Sequence, residues 1–529
     1  MKKRIRKENT KKHNLITITN EKKFNFSILS KTVIFFCFLL LIIFCEIKNF
    51  LNENKRINTK GKFERKYHNN STKEIVYDKN YRRYEKYEKG FNSNSTCDLL
   101  DPIHIFNIRL KNGPKEICNN INIKTSHICY INHEGYFNEI FANKNGVLCT
   151  MENIVLDPSK LKQTKFVYKG PVDQKNKGFP ILSKGFLSTK CTPNPLNFNY
   201  NKNMYDYYFN SWDYNNNKEE QLEELSPGKT VLFLSRNQDS PNLFHGNSEI
   251  INIISILYLF NLAPEEVQIV IIEGVEIPQD PFIDIFKSIF SGGDEPIYVN
   301  NLEKKYKISK AINVPMNWDS PPFIYVNFTN CNHTTRTYQL YNDLIDKYMN
   351  ITHFKDSFIS DDEALYYPEI IINNHVKGIN FTKIVTIQWR RVWPRRRRGQ
   401  SRILGNGKQL ANKLAEILPP NFLVRLIDTA VLPYRKQISV MRSTDYLIGI
   451  HGAGLSLSIF LPKKAIMQEI YRTKNNDLLT IMSTLSGHLT YSDYIKSYSY
   501  KNKGSENVYF DEKAFGESVL THMKENNYF

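Results

Sequence analysis

Between Asp445 and Pro462 the chain carries a near-continuous apolar run from Tyr446 to Ile450, then His451-Gly-Ala-Gly454, then a second apolar run over 455–461. Five such residues fit a strand covered on both faces, as in a parallel sheet with helices on each side. The turn that follows has almost no side chain at Gly452, Ala453 and Gly454. A ligand can approach its backbone closely, and the N–H groups at the start of the following helix face the turn. Such a place suits a phosphate. Strand-to-helix turns also hold paired glycines for packing alone, and the stretch by itself leaves both readings open.

The alternation extends on either side. A strand over 384–389, a helix over 408–418, a strand over 423–428, a helix over 434–442, the strand over 446–450 with its turn and helix, and a strand over 466–470 make successive βα units. Such units form a parallel sheet with its ligand crevice at the carboxyl ends of the strands. Upstream, strands are expected over 231–235 and 267–272. A turn and helix over 240–260 lie between them, with Ser240 as the cap. A short helix over 281–290 and a further strand over 296–299 follow. The stretch 300–383 reads as looser, with a helix near 338–349. The expected class is therefore α/β, with a first lobe over 229–383 and a second over 384–529. Residues 91–228 read as an irregular, disulfide-tied region packed on the first lobe.

The amino-terminal part belongs to a different class of segment. Residues 1–31 hold ten Lys or Arg against two acids, and 32–45 follow without a charge. Positive residues before an apolar run keep the amino terminus cytoplasmic and send the rest across. The run is short for an average bilayer and also fits a signal-peptide core. The long basic tail and the lack of a small-x-small cleavage site favour an uncleaved type II anchor over 32–47. Residues 48–90 read as a solvated stem. Tail and stem carry most of the formal charge of +19, which removes the case for a nucleic-acid partner. Cys97, Cys118, Cys129, Cys149, Cys191 and Cys331 lie beyond the anchor, and none is in C-x-x-C spacing. Disulfides in an oxidising lumen are expected, with no metal centre. Sequons at Asn70, Asn94, Asn327, Asn332, Asn350 and Asn380 are compatible with that exposure.

His451-Gly-Ala-Gly-Leu455, with Phe460-Leu-Pro462 and Gln468-Glu-Ile470 beyond, resembles the signature of glycosyltransferase family 61. Val385-Thr-Ile-Gln-Trp-Arg390 and Ser401-Arg-Ile-Leu-Gly-Asn406 are similar to the family's strand ending in an arginine and its later arginine. Asn242-Leu-Phe-His-Gly-Asn-Ser-Glu249 is similar to its aromatic-His segment with an acid four residues on. The resemblance implies a GT-B arrangement of two facing Rossmann-like lobes. It also implies an inverting transferase that uses UDP-N-acetylglucosamine or UDP-xylose as donor substrate, with no cofactor. The acceptor would be a hydroxyl on a secretory-pathway glycoprotein or its N-glycan, in the Golgi or endoplasmic reticulum.

A sugar nucleotide presents a diphosphate whose leaving charge must be stabilised. The sequence contains no Asp-x-Asp to present two carboxylates to a metal, so positive charge must come from the protein. Arg390 and Arg402 stand where the resemblance places the diphosphate arginines, and guanidinium forks onto phosphate oxygens. Ordinary surface charge is the competing reading. Arg395 to Arg398 look like an insertion into this loop, either solvated or a furin-like cleavage site. His451 would donate to a phosphate or cap the turn. Glu469 would support the ribose, or pair with Arg472 or Lys464. His245 and Glu249, four apart on one helical face, are the candidate base, with an ordinary helix-surface pair as the alternative. Here Gly246 and Asn247 follow the histidine where bulkier residues are usual in the family, and Glu249 is one methylene longer than the usual acid. That departure keeps open a catalytically inactive binding or scaffold protein.

Overall fold

A computed structural model describes residues 83–529, apart from 93–94, 112–114, 132–146, 164–178, 195–201, 216–220, 238–239, 276–279, 317–330, 332, 352–370, 374–380, 391–401, 472–477 and 503–504. The tail, the anchor at 32–47, most of the stem and the run Arg395 to Arg398 lie outside the described residues. Among the described residues no helix is long and apolar enough to cross a membrane.

The first sheet is built on β1 (Lys115–Asn120), β2 (Thr125–Ile131), β3 (Val147–Leu156), β4 (Thr230–Arg236), β5 (Val267–Glu273), β6 (Ile297–Tyr298) and β7 (Tyr306–Val314). Its order is β1-β2-β3-β7-β4-β5-β6. β4 to β7 are mutually parallel, whereas β1 to β3 run antiparallel and join through β3 against β7. β5 is buried along its whole length and β4 along all but its first residue. Both faces of these strands are covered, and their sequences accordingly show no polar alternation. The segment expected to be irregular thus extends the sheet by these three strands and by two short ones, Leu187–Ser188 against β3 and Trp212–Asp213 beside it. Its cysteines pair as Cys118–Cys191 and Cys129–Cys149, and Cys97 reaches Cys331.

The second sheet has β8 (Ile371–Asn373), β9 (Lys383–Gln388), β10 (Phe422–Ile427), β11 (Tyr446–Ile450), β12 (Ile466–Tyr471) and β13 (Leu489–Tyr494) in the order β8-β10-β9-β11-β12-β13. All pairs are parallel except β8 with β10. β8 lies in the stretch assigned from sequence to the first lobe, yet it pairs into the second sheet. From β9 the chain steps to β10 on one side and then returns to β11 on the other. The topological switch point therefore falls between β9 and β11, where doubly wound sheets bind ligands outside the carboxyl ends of the strands.

Helices α1 (Leu243–Leu259), α2 (Ile283–Ile289), α3 (Arg336–Met349), α4 (Gly407–Ile417), α5 (Tyr434–Arg442) and α6 (Leu478–Leu485) cover the sheets, and a 3-10 helix spans Ala453–Phe460. Asn242, not Ser240, caps α1 by accepting from the Phe244 N–H. One buried apolar cluster takes in Leu232 and Leu234 of β4, Ile250 to Leu257 of α1, Tyr341 of α3, Leu447 of β11, Leu455 and Phe460 of the 3-10 helix, and Met482 of α6. Helices between the sheets thus belong to a single core shared by both.

Candidate active site

Three strand ends converge on the turn after β11. Gln388 ends β9 opposite Gly449, and Gly449 is paired on its other side with Glu469 of β12. Arg390 follows β9 and its Nη1 donates to the His451 carbonyl at 3.2 Å. A Cβ on Gly452 would stand 1.7 Å from that nitrogen, and one on Gly454 would stand 2.5 Å from Nε2 of Gln388. Gly452 is extended, with φ 168°, so it is glycine because of close approach rather than backbone strain. The two glycines make room for Arg390 and Gln388 to lie along the turn.

Glu469 is fully buried. One carboxylate oxygen bonds Nδ1 of His451, and the other accepts from the Tyr471 hydroxyl at 2.8 Å. The Tyr471 ring stacks on His451 with centroids 5.7 Å apart. Of the pairings considered for Glu469, Arg472 lies outside the described residues, and the contacts found are His451 and Tyr471. This fixes the imidazole at the mouth of the turn with Nε2 directed away from Glu469. Tyr471 sits two residues after Glu469 on the same strand, hence on the same face, and that alternation was the available signal for it.

Arg402 is brought to the same place from the other side of the 391–401 connection. Leu404 donates its N–H to the Arg390 carbonyl at 2.9 Å, and the strand Ile403–Leu404 pairs with Asn507–Val508 of the carboxy-terminal hairpin. Arg402 adopts φ 64°, a left-handed conformation that a side chain tolerates only when its surroundings impose it. Burial lowers its pKa from the ordinary arginine value, while the charges of Glu469 and Glu506 work the other way. Arg390, Arg402, His451 and Glu469 therefore form one cluster at the switch point.

His245 and Glu249 lie on α1, whose amino-terminal end follows β4. Glu249 is fully buried, accepting from Arg236 Nε at 3.1 Å and from Ser240 Oγ at 2.6 Å. Arg236, at the carboxyl end of β4, also pairs with Asp280. Burial pushes the Glu249 carboxyl up to about 7 against the pull of Arg236. Burial works against the Arg236 charge too, but Asp280 and Glu249 hold it above its usual range. Burial thus brings the titration of Glu249 towards neutral pH. His245 is nearly buried, its ring edge-on to Phe244 at 5.7 Å. Neither is an ordinary surface residue.

The departures from the family pattern have packing causes. A Cβ on Gly246 would stand 2.0 Å from the Phe282 ring, so the helix can carry nothing larger there. Asn247 is fully buried. Its Oδ1 accepts from Tyr341 at 3.0 Å and from Tyr434 at 2.8 Å, and its Nδ2 donates to Ser456 at 3.3 Å.

Residues 319–467 match the family model described as Glycosyltransferase 61. The match contains Arg390, Arg402 and the His451-Gly-Ala-Gly454 turn and stops two residues before Glu469. Over 56 residues, 11% of this chain and 11% of the relative, the sequence is 39% identical to an EGF domain-specific O-linked N-acetylglucosamine transferase of Drosophila melanogaster. Over 111 residues, 21% of this chain and 19% of the relative, it is 29% identical to the protein of the same name from Xenopus laevis. These similarities span at most about a fifth of the relatives' length. The switch-point turn and its first arginine thus fall inside the segment, residues 319–467, that is similar to glycosyltransferase family 61.

Proposed function

We propose that this chain is an inverting glycosyltransferase with a GT-B arrangement. It moves N-acetylglucosamine or xylose from a UDP-sugar to a hydroxyl of a secretory-pathway glycoprotein. The observation that carries the reading is the convergence of Arg390, Arg402 and His451 on a glycine turn at the switch point of a doubly wound sheet. The matched family supports a nucleotide-sugar donor. The printed names of the relatives, which act on EGF domains with N-acetylglucosamine, support that sugar and a protein acceptor. Basic residues before an apolar segment, and three disulfides, support a type II protein of the Golgi or endoplasmic reticulum with its catalytic part in the lumen.

In this mechanism the UDP diphosphate lies against the turn, and the guanidinium groups meet the negative charge that grows on it. The acceptor O–H bond breaks, its oxygen bonds to the anomeric carbon, and the carbon–phosphate-oxygen bond breaks as UDP leaves. Glu249 receives the proton. Its pKa near 7 suits a base at neutral pH, and the acceptor hydroxyl would take the position on Oε1 that Ser240 now occupies. With no Asp-x-Asp in the sequence and two arginines at the diphosphate position, the reaction needs no metal.

Titration calorimetry of the full chain in mild detergent, with EDTA present, tests this reading. Expected is binding of UDP and of UDP-N-acetylglucosamine or UDP-xylose in preference to GDP. Absence of UDP binding, or binding that requires added Mn²⁺, overturns it. The enclosure of Glu249 by Arg236 and Ser240 favours one other reading, a UDP-binding lumenal protein without catalysis. UDP release from a UDP-sugar separates the two.

A further inference from the structure

α1 does more than present His245 and Glu249. Position 247 lies about 200° around the helix from both 245 and 249, and the Asn247 amide there is fully buried among residues of three other elements. Tyr341 comes from α3, Tyr434 from α5 and Ser456 from the 3-10 helix that follows the glycine turn. Ser456 passes the connection on, because its hydroxyl donates to the Ala453 carbonyl at 2.7 Å. Ala453 is the centre of His451-Gly-Ala-Gly454. A continuous chain of hydrogen bonds thus runs from a first-lobe helix to the backbone of the proposed donor turn.

The direction of each bond gives the chain its logic. Both lone-pair directions of Asn247 Oδ1 are taken by tyrosine hydroxyls, and this leaves Nδ2 to face Ser456. Because Nδ2 can only donate, the Ser456 oxygen accepts there and its proton is committed to the Ala453 carbonyl. A carboxylate in place of the amide would still accept from both tyrosines, but it would offer Ser456 an acceptor and draw the proton off Ala453. Gly246 supports the arrangement, since the Phe282 ring that fills its open side stands 5.1 Å from the Tyr434 ring.

We infer that Asn247 is a positioning residue, holding the donor turn in register with His245 and Glu249 through Ser456 and Ala453. The inference rests on the turn being the donor site. One helix then carries the acceptor-side pair on one face and the donor-turn anchor on the other, and the spacing of the two half-sites is set by a rigid element.

The test is UDP affinity in Asn247→Asp, Ser456→Ala and the double variant, each measured in the full chain well below its thermal midpoint. Loss of one hydrogen bond's worth of positioning corresponds to a rise in the UDP dissociation constant of roughly three- to tenfold. Each single variant should show such a rise, and the double variant should be no worse than the weaker single, because both act on the same bond. A lower thermal midpoint with unchanged UDP affinity would mark Asn247 as structural only, and losses that multiply in the double variant would equally overturn the inference. Should Asn247→Asp fail to fold, Ser456→Ala decides alone, with unchanged affinity refuting it. Failure of the unaltered chain to bind UDP is distinguishable from these results and removes the donor-site reading first.

Discussion

Replacing Gly452 with alanine adds a single methyl at a point that would stand 1.7 Å from Nη1 of Arg390 and 3.0 Å from its Cζ. The backbone there is extended, so alanine meets no conformational penalty. The group in its way is the tip of a flexible side chain rather than a ring or a peptide. Arg390 yields, and the fold stays. What is lost is the bond from Arg390 to the His451 carbonyl and the alignment of the guanidinium with the turn. A charge-assisted hydrogen bond contributes about 1.5–3 kcal/mol, which is a rise of roughly 10- to 100-fold in the dissociation constant for UDP. Thermal unfolding should fall by only a few degrees, since the displaced group is the tip of a flexible side chain and the fold loses only its bond to the His451 carbonyl. Arg390→Ala should lose affinity by a similar factor, and Gly452→Ala in the Arg390→Ala background should cost little more. Calorimetry on the three variants reads all of this. Gly452→Ala that binds UDP as tightly as the unaltered chain would refute the role of Arg390.

Two further outcomes concern the first lobe. Gly246→Ala places a methyl 2.0 Å from the Phe282 ring, and overpacking of about 1–3 kcal/mol outweighs the helix-propensity gain of about 1 kcal/mol. A lower urea midpoint is expected, with recovery on adding Phe282→Leu; no recovery would mean the clash lies elsewhere. Glu249 has its pKa raised from 4.5 to about 7 by burial, so its contribution to stability is complete below about pH 4.5 and lost as the pH rises through 7. The difference in urea midpoint between the unaltered chain and Glu249→Gln should fall across that window, and a flat difference would contradict the assigned protonation.

Much of the second sheet is legible in the sequence because its central strands β10, β11 and β12 are buried along their whole length. The helix Tyr434–Arg442 and the strand Tyr446–Ile450 occur with the expected bounds. β7 escaped notice because its first half is partly exposed and its second half buried, so it shows neither continuous nor alternating apolarity. β1 pairs with β2 across only residues 121–124, and its exposed Lys115, Glu116 and Asn119 give it no apolar alternation. In the site, Arg390, His451 and the glycines are readable because a strand end and a turn dictate residue type locally. Arg236, Gln388 and Asn247 owe their roles to partners far along the chain, whereas Tyr471 stands two residues from Glu469 and is readable from strand alternation. Gly246 and Asn247 looked like a loss of family character, whereas Phe282, Tyr341 and Tyr434 account for both.

The pairing of Leu404 with Arg390, and of Ile403–Leu404 with the carboxy-terminal hairpin, clamps both ends of the connection over 391–401. A connection held at both ends can change length at little cost, since doubling a flexible loop adds only about 0.6 kcal/mol of closure entropy. Extra residues can therefore be acquired between Arg390 and Arg402 without moving either arginine. This point in the chain is where related sequences would be free to diverge in length.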